Sequence, residues 1–172
     1  MCVCVGQVQS LTFQQRIELC RLIIFLDIDN ELMKPLEKDK HHIIKYTELP
    51  VDDLHRQAIE ANKQRIVKQT IRNGYTTVNM NPYVIEKQAQ IGFNRDDTIL
   101  CEGQNLQHFF EYLGKLDPTA THNPAYFMPG RVTILLRGLG SWLGVPHYTA
   151  SHWRGIAEKF LKDSNQPLIP ND

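Results

Sequence analysis

The chain has 172 residues, 42% of them hydrophobic, and its 19 lysines and arginines balance 19 aspartates and glutamates to a formal charge of zero. That length suits one domain, and such a chain buries roughly 70% of its unfolded surface, enough for a core without staples. The balanced charge argues against a nucleic-acid or anionic-membrane surface, and no apolar run approaches the ~20 residues of a membrane-spanning helix.

Met1 to Val5 read as a strand that exits at Gly6-Gln7. Thr12, with Gln15 three residues on, forms a capping box for the next element. That helix carries "RIELCRLIIFLDI", whose apolar residues cover so broad a face that it is expected to be largely buried. "NELMKPLEKDKHH" reads as a short charged helix or turn that Pro35 starts or interrupts. The longest amphipathic helix lies in "LPVDDLHRQAIEANKQRIVKQTIRN". Asp52 and Asp53 suit its positive end, and Gly74 sits where a C-cap glycine belongs.

In "TTVNMNPYVIEKQAQIGF", Asn81 is the cap, Pro82 takes the first turn and Gly92 is the terminator. "NRDDTILCEG" is a loop or brief extended piece, and "QNLQHFFEYLGKL" a helix with Leu106, Phe109, Phe110 and Leu113 inward. "DPTATHNP" is a loop by its turn residues. "AYFMPGRVTILLRGLGSWLGV" and "HYTASHWRGIAEKFLKD" complete the folded part. The expectation is an all-α protein of about six helices with one short N-terminal strand: a single helical domain over 1–163 and a flexible tail over 164–172.

Chemistry-bearing motifs are scarce. Cys2, Cys4, Cys20 and Cys101 have no disulfide-framework spacing, and Cys2-Cys4 is a C-x-C rather than a zinc-type C-x-x-C. A reducing compartment follows, and the N-terminus lacks the Arg-rich amphipathic character of a transit peptide. Gly138, Gly140 and Gly144 mimic a dinucleotide-binding turn, but the following residues supply no second strand for a βαβ unit. Helical glycines that admit a close neighbouring backbone are the better reading. The seven histidines pair with no carboxylate at metal-ligand spacing, and no serine sits in a G-x-S-x-G elbow. No catalytic or metal site is therefore expected from the chemistry alone. Arg137, within "ILLRGLG", is expected to reach a carboxylate or backbone carbonyls, and Trp153 to be a core anchor.

Three segments, in order, resemble the C-terminal part of the AarF/UbiB family of atypical kinases. "VGQVQSLTFQQRIELCRLI" is similar to the stretch after that family's metal-binding Asp-Phe-Gly or Asp-Tyr-Gly, matching at Gly6, Gln7 and Arg16. "GYTTVNMNPYVIEKQAQIGFNRD" is similar to the middle of the tail. "GRVTILLRGLGSWLG" with "HWRGIAEKFL" resembles the closing helices, matching at Arg137, Gly138, Leu139, Gly140, Trp153 and Ala157.

The resemblance implies a helical C-lobe tail in which "CVCVG" is the strand entering the metal loop. It also puts Cys4 where the family has its metal-binding Asp. Hard Mg²⁺ wants oxygen ligands, and a thiol is a poor substitute. The complete family fold uses ATP and Mg²⁺, is linked to quinone or lipid metabolism, and is typical of mitochondria or plastids. Its nucleotide-covering loop, strand lysine and catalytic loop precede the matched region. The expectation is a truncated or degenerate pseudokinase fragment, without a cofactor or catalysis of its own. The competing expectation is a helical interaction module that meets a protein partner over exposed apolar surface.

Overall fold

The computed structural model describes residues 11–33, 52–95, 100–145 and 148–170. The expected N-terminal strand, Cys4, Gly6, Gln7, Pro35 and the His41-His42 pair lie outside these residues. Among the described residues the protein is mainly helical. The helices are α1 (Phe13–Met33), α2 (Asp53–Arg72), α3 (Pro82–Phe93), α4 (Leu106–Leu116), α5 (Phe127–Trp142) and α6 (Thr149–Asp163). A small antiparallel ribbon joins β1 (Thr76–Thr77) to β2 (Thr119–Thr121).

Local chemistry starts and stops most of these helices where the residues require it. The Thr12–Gln15 capping box forms reciprocally: Thr12 N–H donates to Gln15 Oε1 at 2.8 Å, and Gln15 N–H to Thr12 Oγ1 at 3.2 Å. Asp52, Asn81 and Asn105 cap α2, α3 and α4 through their side-chain oxygens. Gly74 closes α2 at φ 85°, with its N–H on Ile71 O and Tyr75 N–H on Thr70 O. That is the left-handed residue of a Schellman end. Gly144, at φ 69°, ends α5 in the same way, with Val145 N–H on Gly140 O.

Three expectations need correction. Asn30 to Met33, expected to open a separate short charged helix or turn, instead continue α1 to its end. Gly92 is inside α3 and not its terminator; Asn94 closes the helix with its N–H on Gln90 O. The "DPTATHNP" loop contains β2, because Thr121 and Thr119 pair with Thr76 and Thr77, far away in sequence. After α6, Asn165 and Gln166 complete a Schellman end, and Arg21 donates to Gln166 Oε1 at 3.4 Å.

α1 is the hub. Its residues Ile17 to Leu26 are buried on every side because α2, α3 and α6 surround it. Ile66, Ala89, Tyr126, Ala157 and Leu161 complete the main core. A second cluster forms where α3 meets α4, around Val84, Ile91, Phe109 and Leu113. Asp117, at the end of α4, ties the ribbon to α3. Its carboxylate accepts the Asn79 and Asn81 backbone N–H groups, each at 2.9 Å. Desolvation acts the other way, yet the hydrogen bonds from Thr77, Asn79 and Asn81 hold this carboxyl below its ordinary range.

Candidate functional site

α5 is oriented against its composition. It buries Pro129, Thr133 and Arg137, a stripe at four-residue spacing in which two of the three residues are polar. Thr133 Oγ1 donates to Pro129 O at 3.0 Å, which satisfies the hydroxyl within the helix. Arg137, 2% exposed, reaches Gln90 O at 3.5 Å. That carbonyl belongs to the last turn of α3, where the helix dipole favours a cation. The expectation for Arg137 is met on its carbonyl side.

Behind Arg137 lies a buried polar node that joins α1, α3 and α6. Asn30 and Asn94 exchange side-chain amide hydrogen bonds at 3.0 and 2.8 Å. Asn94 also donates to Gln90 Oε1, Gln90 to Asp29 Oδ2 and Asn30 to Ser151 Oγ. Burial, with Glu86 alongside, pushes the Asp29 carboxyl from 3.8 up to about 6, against the pull of the Gln90 hydrogen bond, Arg95 and Lys63. The node had a trace in the sequence: Asp27, Asp29 and Asn30 break off the apolar run from Leu22 to Leu26. Asp27 is the other interruption, and it pairs with Arg154 of α6 at 2.7 Å.

The opposite face of α5 is apolar and outside. Met128, Leu135, Leu139 and Trp142 are 60, 67, 53 and 82% exposed, and Phe127, Leu143 and Val145 flank them. Gly138 lies among these residues, and a Cβ built there would meet nothing within 4 Å. The reading of this glycine as a close-approach site to a neighbouring backbone is therefore not met among the described residues.

Beside the first turns of α5 a cavity of about 360 Å³ opens between α3, α5 and the ribbon. Its floor is Leu22 and Ala89, and Phe93, Phe110, Tyr126 and Phe127 bring aromatic walls. Gly92 of α3 and Gly130 of α5 both line it, which helps to keep the space between the helices open. The Tyr126 hydroxyl is committed to Asn73 Oδ1 at 3.0 Å and Gln15 O at 3.1 Å, so one polar wall is already satisfied. Arg131 and His122 are exposed at the rim, with the Arg131 guanidinium 5.6 Å from the Phe127 ring centre. The sequence holds a sign of this rim as well: no acidic residue occurs between Asp117 and Glu158.

Among the described residues, those matched by resemblance do not converge on one site. Arg16 donates to Leu11 O at 3.1 Å ahead of α1, and Ala157 is fully buried on α6. Trp153 packs half-buried against the main core, as an anchor should. Arg137 is inside, Gly138 and Leu139 face outward, and Gly140 accepts the closing hydrogen bond of α5. The Cys20 thiol, pushed up to about 12 by burial, is not a nucleophile. Among the described residues no helix is long and apolar enough to cross a membrane, and no group of three or more His, Cys, Asp or Glu is placed to hold a metal. When family models, curated proteins and solved structures are compared with the chain, none matches it.

Proposed function

We propose that this chain works by binding rather than by phosphoryl transfer. On this reading it is a helical docking unit corresponding to the C-terminal region of an AarF/UbiB-like kinase fold, and α5 receives an apolar helix of a protein partner. The observation that carries the reading is the inverted burial of α5, which hides Thr133 and Arg137 while exposing Met128, Leu135, Leu139 and Trp142. Contiguous apolar surface of this kind marks an interaction site in soluble proteins. Gly138 leaves a notch in the middle of that face against which a second helix can close. α1, which carries Arg16, packs on α6, which carries Trp153, as the resemblance requires of parts of one bundle. The family's setting, quinone or lipid metabolism in mitochondria or plastids, is part of the same proposal.

Two measurements test it. Mg²⁺-ATP should leave the melting temperature unchanged, because a ligand bound only by the folded state would raise it; a clear upward shift overturns the non-catalytic reading. The wild-type chain should bind a hydrophobic dye, and a Leu135→Glu, Leu139→Glu, Trp142→Ser variant should bind clearly less of it with its far-UV circular dichroism intact. A wild-type chain that sediments as a dispersed monomer with no dye-accessible apolar surface overturns the docking reading.

A further inference from the structure

We infer that the cavity between α3 and α5 is a binding site for an amphiphilic carboxylate, with the ligand's apolar body held between the helices and its carboxylate on Arg131. This inference is independent of the docking reading, because it concerns the inner edge of α5 rather than its outer face.

Size comes first. About 360 Å³ lies near the lower end of the ~300–1,000 Å³ typical of small-molecule sites, so the ligand is a single medium-length chain or a small ring system. The lining then sets polarity: Leu22, Ala89, Phe93, Phe110 and Ile134 present hydrocarbon, while the deep hydroxyl of Tyr126 is engaged by Asn73 and Gln15. The lining also holds Thr70 and Asn73, whose side chains donate to Ile66 O and Glu18 O, so a polar group on the ligand's deep end gains little there. Charge sets the head group. Among the described residues the lining has one arginine, one histidine and no carboxylate, so the field at the mouth favours an anion. Arg131 makes no ion pair with a described residue, and its planar fork matches one carboxylate in bidentate fashion. A phosphate dianion would call for more cations than this rim supplies. Backbone geometry holds the rim: Asn123 approaches the Gly74 position so closely that a Cβ there would lie 3.3 Å from the Asn123 Cβ.

Decanoate, used below its micellar range, is the probe, with decanol as the same tail without the charge. Isothermal titration should show one decanoate per chain. Arg131→Gln should weaken decanoate by about tenfold while changing decanol little, and Arg131→Lys should recover part of the loss. Gly92→Leu should abolish both, without loss of fold, because a Cβ at Gly92 meets nothing within 4 Å. Circular dichroism and the melting temperature verify the fold of each variant. Leu135→Glu with Leu139→Glu should bind decanoate as the wild type does. The inference is overturned if decanoate does not bind, if Arg131→Gln binds it unchanged, or if Gly92→Leu binds it as tightly as the wild type. Loss of binding in the Leu135/Leu139 variant also overturns it, because the ligand would then lie on the outer face.

Discussion

Asp29 shows how burial turns an ordinary carboxylate into a pH-dependent liability. Its pKa is raised, so the folded state holds a proton that the unfolded chain has already released between pH 3.8 and about 6. Stability therefore falls as pH rises through that window, by roughly 2–3 kcal/mol if the full shift is realised. Asp29→Asn should raise the urea midpoint at neutral pH and flatten its dependence between those two values. An unchanged midpoint with an unchanged pH profile would show that the carboxyl is not desolvated in the fold. Asp117 works in the opposite sense. Hydrogen bonds hold its pKa down, so its contribution is present at neutral pH and lost on acidification.

The helices differ in how much they rely on their neighbours. α1 is packed on every side, and its apolar residues from Ile17 to Leu26 suit that burial, while Glu18, Arg21, Asp27, Asp29 and Asn30 are buried with polar partners from α2, α3, α6 and the tail. α5 combines a proline in its first turn, β-branched residues and three glycines with contacts made chiefly to α3. Each internal glycine costs about 1 kcal/mol relative to alanine. Gly138→Ala should therefore stabilise the protein by about 0.5–1 kcal/mol, since the added methyl meets open space. Gly74→Ala should destabilise it by about 1 kcal/mol or more, because φ is 85° and Asn123 is already close. Paired thermal melts of the two variants give the signs; the same sign for both would contradict the environments described for these glycines.

The assembly is held by polar joints as well as by the core. Asp27–Arg154 links α1 to α6, and the Asn30–Asn94 amide pair links α1 to the end of α3. Removing one amide strands its buried partner, so Asn30→Ala and Asn94→Ala should each cost roughly 1–3 kcal/mol. The double variant should cost clearly less than the sum, because it strands neither. Urea denaturation of the four proteins measures the coupling, and strict additivity would mean that the two side chains do not act as a pair.

Most helix starts, and the end of α2, were legible in the residues because they depend on contacts between near neighbours in the chain, whereas the ends of α1 and α3 were not. Thr12 with Gln15, Asp52 with His55, Asn81 with Tyr83 and Gly74 after Asn73 need no distant partner. The pairing of Thr76 with Thr121, the Asn30–Asn94 joint and the cavity between Gly92 and Gly130 were not legible. Each joins groups dozens of residues apart, and no local period records which ones meet. The face of α5 is the sharpest instance. The residues around Arg137 point it toward a carboxylate or a carbonyl, and only packing against α3 decided that its partner is Gln90 O, at the cation-favouring end of that helix, and that Leu135 and Trp142 stay out.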